Sequence, residues 1–579
     1  MQQLRSARVT SVLARLRAGR GLLVTLSLVT GAGAGLGAVG FRELILGITH
    51  LASGVDDHSA VGRRPNHLIP FLGPWFVLVV PVVAGLLYGP LVYRFAPEAR
   101  GHGVPEVMYA VGRRGGRIPW QVALVKSLAS ALCIGAGGSV GREGPIVQIG
   151  SALGSTAGRF ARLPASGLRL LVACGAAGGI AATFNAPIAG VFFALELILR
   201  DFAADSFGLV VLSAVLASVI GRSILGDAPF LHLPSFTVGH PQEYVLYAVL
   251  GLLGAGAGVA FTRVLYATED VCDAAWARTR LPEWARPGVG GVLLGLVLLA
   301  VPEMYGVGYP VLGAAVAGRY AVPFLLLLLV AKVVATSLTI GIGGSGGVFA
   351  PSLFCGAALG AAYGQLLHSA IPGTVGSPGS FSLVGMAAVF AGAARAPITA
   401  VLILFELTGE YTIILPLMLT VVVATAASRA LSADTVYSLK LRRRGVDLGE
   451  RPRDDRLDRL VGSVAGPVPR PLDVGLPVAQ AMHALARAGG SLPVCADGSY
   501  LGVLTALAVH DGGDEAGTLA DLVSVPATLR ADDPLEHALA LMSSPDALGG
   551  LPVLDGRGQP VGWLDAGGLL RGLAGPGPA

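Results

Sequence analysis

The stretch GGSVGREGPIVQIG, Gly137–Gly150, sets Arg142 beside Glu143 among five glycines and a proline. The surrounding chain has 579 residues, 53% of them hydrophobic and 13% charged. Its mean hydropathy of +0.69 is too high for a soluble protein of this size. A charged group at the centre of a bilayer costs roughly 2.5–3.5 kcal/mol on insertion scales. An acid placed there is usually buried in a functional cavity, so Glu143 calls for an explanation.

Outward from this stretch the chain reads as membrane. Apolar runs occupy 21–40, 72–93, 207–220, 244–261, 288–301, 322–343 and 411–431. Several reach the ~20 residues that span a bilayer as a helix. Others are short or interrupted by Gly and Pro, which is tolerated at membrane depth only where protein or a water-filled cavity covers the freed backbone. These features predict a polytopic transport-type protein with partial spans. The N-terminal twenty residues carry five Arg and no acid, with no cleavage-type signal peptide. By the positive-inside rule that segment and LKLRRRG (439–445) are cytoplasmic, which accounts for most of the net charge of +5. No basic, aromatic-interleaved patch supports a nucleic-acid partner. The cysteines at 133, 174, 272, 355 and 495 have neither metal nor disulfide spacing and read as small apolar fillers.

The chain repeats itself. A shift of 206 residues lays Lys126 on Lys332, GAGGSVGREGP (135–145) on GIGGSGGVFAP (341–351), and GSALGSTAG (150–158) on GAALGAAYG (356–364). From Lys126 to Gly158, 15 of 33 positions are identical. A shift of 210 then lays APIAGVFFALEL (186–197) on APITAVLILFEL (396–407). Duplicated transporters often place their site between the repeats, where helices break near the midplane.

The copies differ where it matters: Glu143 in the first corresponds to Phe349 in the second. GREGP and GVFAP each read as a glycine loop ending at a helix start, with Pro suited to the first turn. GHGVPE (101–106) has the same form. Such helix starts offer unpaired N–H groups and the positive end of the helix dipole. Loops of this kind meeting at an interface make an anion site without a basic side chain. Two simpler readings stand beside this one. Glu143 pairs with Arg142 or sits at a wet helix end, and the loops are plain re-entrant packing. Adjacent residues on a helix diverge by ~100°, which argues against local pairing.

Composition changes after about residue 440. A charged stretch, 441–460, reads as a linker. Residues 461–579 hold two αβ-like units, 461–513 and 518–575, each reading as helix, strand, glycine turn, strand and helix start. This pair resembles a tandem CBS domain, a cytoplasmic regulatory module.

Taken in order, GHGVPE, GREGPIVQIG, GGVFAP, FNAPIAG…E and VYSLKLRRRG resemble the CLC family of chloride channels and chloride/proton antiporters, over nearly the whole chain. The resemblance implies an all-α polytopic fold over 21–440, in two inverted halves of about 21–230 and 231–440 with broken helices, after a cytoplasmic segment 1–20. It implies a homodimer with a pore in each subunit, about eighteen mostly tilted helices per subunit, and an α+β tandem CBS domain behind. It makes the protein an anion transporter in the cell membrane, not an enzyme, with chloride or a similar small anion as substrate and protons as a second candidate. Glu143 matches the gating glutamate. Val348 and Phe349, with Gly144, His102 and Gly103, match the anion-binding loops, and Tyr437 matches the tyrosine that closes the inner mouth.

Two departures bear on mechanism. His102 stands where the family usually has an anion-binding serine. Either its imidazole N–H donates to the anion, with a charge that varies near neutral pH, or the ring points away and backbone does the work. Antiporters also carry an inner glutamate, whose place here is Leu197. The neighbouring Glu196 has a repeat partner in Glu406, which suggests a shared structural role and favours a passive channel. Lys126 and Lys332 read as counter-charges to buried acids or as anion attractors. In the CBS pair, Thr505 is kept but Ala508 stands where nucleotide binders have Asp, whereas the second unit has Asp565. An adenine nucleotide is thus a weakened candidate ligand beside a structural or dimerising role.

A different class of function is an intramembrane serine hydrolase, since GGSG (343–346) fits a G-x-S-G pattern. It needs a histidine at membrane depth, the nearest candidate being His368, and Ser345 has a twin in Ser139 as a structural serine would. A cation transporter lacks the paired midplane acids it needs.

Overall fold

Two consecutive glycine-bearing apolar stretches fold as long spans, α1 (Arg20–Ser53) and α2 (Phe76–Phe95). They open a computed structural model that describes residues 20–226, 241–372, 376–446, and 459–574 except 489, 498, 513–517, 526, 527, 543–549 and 557. Residues 1–19 of the expected segment 1–20 and most of the linker 441–460 lie outside the described residues. The chain divides into two compact units, 1–448 and 449–579.

In the first unit α1 and α2 are followed by α3 (Val104–Arg113), α4 (Gln121–Gly135), α5 (Glu143–Phe160) and α6 (Ala165–Phe184). Next come α7 (Pro187–Phe193), continued by a wider π turn at Ala194–Leu199, and α8 (Ala204–Leu225). The same eight recur as α9 (Glu243–Ala277), α10 (Arg286–Ala300), α11 (Tyr309–Val316), α12 (Val322–Gly341), α13 (Phe349–Ala370), α14 (Pro378–Ala394), α15 (Pro397–Thr408) and α16 (Ile414–Leu431). A short helix, α17 (Ser438–Arg442), closes the unit. Among the described residues, eight helices are long and apolar enough to cross a membrane. The helices α3, α5 and α13 begin within the buried interior.

The repeat is structural down to its packing. A Cβ on Gly150 would lie 2.1 Å from the Gly175 carbonyl, and one on Gly175 2.0 Å from that of Gly150. Their partners Gly356 and Gly385 interlock in the same way, at 2.3 and 2.5 Å. Small residues at matched positions therefore let α5 meet α6, and α13 meet α14, at backbone contact. Close packing of this kind holds helices together where lipid removes the hydrophobic drive.

The second unit holds two three-stranded sheets of the same design. In the first, β1 (Leu472–Asp473) runs parallel to β2 (Ser491–Ala496), which pairs antiparallel with β3 (Ser499–Thr505). Helix α18 (Val478–Arg487) lies between β1 and β2 in sequence, and α19 (Ala506–Gly512) follows β3. In the second, β4 (Leu529–Arg530), β5 (Leu551–Leu554) and β6 (Pro560–Leu564) repeat that order, with α20 (Leu535–Met542) and α21 (Ala566–Ala574) in the corresponding places. Each sheet has its own apolar core, around Val494 and Leu504 in one and Val553 and Leu564 in the other.

Candidate anion site

Four glycine loops meet inside the first unit, each ending at a helix start. Gly103, at φ +80°, precedes α3, and Gly308, at φ +85°, precedes α11. A Cβ at Gly103 would also stand 2.8 Å from the Gly144 carbonyl, so this position excludes larger residues on two counts. GREGP leads into α5 and GVFAP into α13. The last two are joined by their repeat-matched glycines: Gly141 N–H donates to Gly347 O at 2.7 Å, and Gly347 N–H returns to Gly141 O at 2.6 Å. The bridge is antiparallel, as expected where two inverted copies meet. A parallel bridge, Gly101 with Ser345, adds the GHGVP loop.

The lysines hold these loops from behind. Lys126 Nζ donates to the carbonyls of Ala99 (2.8 Å) and Gly101 (2.7 Å). Lys332 Nζ donates to Ser139 Oγ (2.9 Å) and to the carbonyls of Gly306 (3.3 Å) and Val307 (2.9 Å). Both ammonium groups thus bind the loops directly, through carbonyls and, for Lys332, a serine hydroxyl.

Glu143 lies where α5, α11 and α13 start. Its side chain is 1% exposed. Tyr309 donates its hydroxyl to Oε1 at 2.9 Å, and the Ala350 amide donates to Oε2 at 3.4 Å. Arg142, directly before α5, donates from Nη2 to the Thr183 carbonyl at 3.3 Å, and its guanidinium lies 5.1 Å from the Tyr309 ring centroid. It thus braces the tyrosine that holds the glutamate, which explains the adjacent pair in the sequence.

The other expected residues fall around the same loops. Val348 and Phe349 open α13, where first-turn amides have no partner within their own helix. The Phe349 ring packs 4.5 Å from Phe390 and 5.7 Å from Phe184. Gly144 backs directly onto the His102 carbonyl, 2.0 Å from where its Cβ would be. Tyr437, buried ahead of α17, places its ring 6.2 Å from that of His102. His102 is 3% exposed, its ring between Tyr437 and Tyr266, with Nε2 3.3 Å from the Tyr266 hydroxyl.

Tyr309 and Tyr266 are the members the sequence reading lacks. Tyr309 had a signal, because a shift of 205 lays GHGVP (101–105) on GVGYP (306–310). Tyr266 had none beyond a hydroxyl inside an apolar helix.

Glu196 and Glu406 serve helix starts. Glu196 accepts from the amides of Ile398 (3.2 Å) and Thr399 (2.9 Å), and Glu406 accepts from Ile188 (2.9 Å) and Ala189 (2.6 Å). Each repeat caps the other, at partners related by the shift of 210. Ser345 is fully buried, donates to Ala99 O at 2.7 Å and lies 2.8 Å from Ser130 Oγ. It is a packing serine with no histidine partner among the described residues, which removes the hydrolase reading.

Two cavities approach the loops. One, of about 390 Å³, is lined by Arg42, Arg142, Arg222, Thr183 and Tyr309. The other, of about 940 Å³, is lined by Gly101, Arg100, Glu269, Arg286 and Lys440. The first takes in Asp56 and Asp57, just beyond the end of α1, and the second Arg94, at the end of α2. The ends of consecutive spans lie on opposite faces, so the cavities do too.

Inverted halves, helix starts converging between them and a cavity from each face define a polytopic membrane protein for transport of small anions. A family model described as voltage gated chloride channel matches residues 84–429, and one for the CBS domain matches 519–575. A ClcB-like chloride channel protein of Ralstonia nicotianae is 36% identical over 440 residues, 75% of this chain and 98% of that one. The H(+)/Cl(−) exchange transporter ClcA of Vibrio parahaemolyticus is 36% identical over 370 residues, 63% of this chain and 79% of that one. The crystal structure of a slow cyanobacterial Cl−/H+ antiporter matches with a TM-score of 0.63 at 26% identity, over 74% of this chain and 99% of that one. The chain belongs to the voltage-gated chloride channel (CLC) family, whose members are channels and transporters, not enzymes.

Proposed function

We propose that the protein moves chloride or a similar small anion across the membrane through a pathway gated by Glu143. The observation that carries this reading is the place of the carboxylate, on donors at the first turns of α11 and α13. An anion crossing between the cavities meets those donors, so carboxylate and anion compete for them. Protonation removes the charge and frees the place. The amides of Val348 and Phe349 serve the anion next, with Gly144, then the Gly103 and His102 loop, and Tyr437 bounds the inner mouth. On this reading the chain works as a homodimer with one pathway per subunit. The Arg-rich N-terminus and the CBS pair are cytoplasmic, in keeping with the positive-inside rule.

Exchange against protons and passive conduction differ in whether a proton crosses. Leu197, with Glu196 engaged as a cap, favours conduction. Kinship with ClcA favours exchange. Chloride flux from liposomes holding the purified protein under a pH gradient decides: a proton gradient that drives chloride uphill establishes exchange, and none excludes it. For the CBS pair we propose a structural role over an adenine nucleotide site. Asp565 Oδ1 already accepts the Gly568 amide at 2.6 Å, capping α21. Nucleotide binding to the purified protein by calorimetry would overturn this.

A further inference from the structure

His102 has two ring nitrogens in different situations. The Tyr266 hydroxyl donates its single proton to the Val436 carbonyl at 2.6 Å. Toward Nε2 of His102, 3.3 Å away, the Tyr266 oxygen is therefore the acceptor and Nε2 carries the hydrogen. In the neutral ring Nδ1 is then a bare lone pair. It is buried and meets no hydrogen-bond partner among the described residues. Nδ1 is bonded to Cγ and is the ring nitrogen nearer the residue's own backbone. A lone pair there repels an anion, whereas an N–H attracts one.

The charged and titratable groups around the ring do not supply an anion of their own. From α3, Glu106 is held by Arg444 at 2.5 Å. From α4, Lys126 is held by carbonyls. From α9, Tyr266 faces the ring, Glu269 is held by Lys440, and Asp270 by Arg443 at 2.7 Å. From the start of α17 comes Tyr437, and from α5, across Gly144, Glu143 with its own donors. Each carboxylate nearby already has its partner. The counter-charge for an imidazolium has to arrive as a mobile anion.

We propose that His102 binds a proton and an anion together: a proton from the cavity lined by Gly101 and Lys440 adds to Nδ1 as chloride enters beside Gly103 and Tyr437, and the new Nδ1–H donates to that chloride. Both leave by the reverse step, so charge and protons balance. The inner side of the pathway thereby gains a titratable group that Leu197 does not provide. By linkage, the factor by which chloride raises proton affinity equals the factor by which a proton raises chloride affinity. The inference rests on the anion pathway proposed above.

The test uses the full-length chain carrying Glu143→Gln, so that the gate no longer titrates. Chloride affinity is measured by calorimetry between about pH 4 and about pH 8, a window that reaches below the usual histidine range because Lys126, Lys440 and Arg444 lie around the ring, in buffers of different ionisation enthalpy. Affinity rising about 5-fold or more toward low pH, with proton uptake on binding, is expected. Adding His102→Ser, or His102→Asn if the serine variant does not yield folded protein, should flatten the profile and abolish the uptake. A flat profile in Glu143→Gln alone, or an unchanged slope after either second substitution, overturns the inference and leaves the pathway standing. No chloride binding at any pH in Glu143→Gln overturns both.

Discussion

The hydroxyl of Tyr309 donates to Oε1 of Glu143 at 2.9 Å, from the first residue of one half's helix to the first residue of the other's. This bond is strongest while the carboxylate is ionised and so favours the closed arrangement. A hydrogen bond to a charged group contributes about 1.5–3 kcal/mol. In Tyr309→Phe that stabilisation is gone, and the carboxylate leaves its place more readily. Chloride flux then persists to higher pH than in the parent, by up to about one to two pH units. A flux–pH curve that overlays the parent's would show that the hydroxyl has no part in gating.

Replacing the acid itself acts more completely. Glu143→Gln keeps the shape of the side chain and removes the charge that competes with the anion. Flux in liposomes should lose the pH dependence that the gate supplies, leaving only the part that follows chloride affinity at His102, and net proton exchange across the membrane should stop. If either survives intact, the gate lies elsewhere.

The reciprocal caps predict twins. Glu196→Ala and Glu406→Ala each strand two amides at a helix start. Each should lower stability by about 0.5–2 kcal/mol, the range for lost N-caps, read as a drop in the melting temperature of the purified protein. Proton coupling, compared with the parent, should stay as it was. A specific loss of coupling in Glu196→Ala, without the same loss in its twin, would mark Glu196 as part of a proton path instead.

Glycine substitutions separate the site from the scaffold. Gly144→Ala drives a methyl against the His102 carbonyl, 2.0 Å away, whereas Gly256→Ala meets nothing within 4 Å. The first should abolish transport and depress the yield of folded protein. The second should leave transport unchanged and add helix propensity of roughly 1 kcal/mol. Normal flux through Gly144→Ala would mean that the loop is free to shift.

Much of this protein was legible in its sequence because the relevant information is local or repeated. Hydropathy marks the spans. Glycine followed by proline marks a helix start, because one residue tolerates the turn and the other suits the first turn. The duplication paired Lys126 with Lys332 and Glu196 with Glu406, and singled out Glu143 against Phe349. Partners across the fold were not legible. The sequence shows that two lysines are repeated but not that both bind carbonyls, and that two glutamates are repeated but not that each caps the other's half. The reason for Arg142 appears only with Tyr309 and Thr183 beside it, 167 and 41 positions along the chain (309 − 142 and 183 − 142). The orientation of His102 depends on a hydroxyl 164 residues away. Hydropathy, turns and repeats come from bonds and sterics between near neighbours, so the chain alone determines them. Which amide, carbonyl or hydroxyl meets a given side chain is decided where the two halves close on each other, and only the tertiary structure records that.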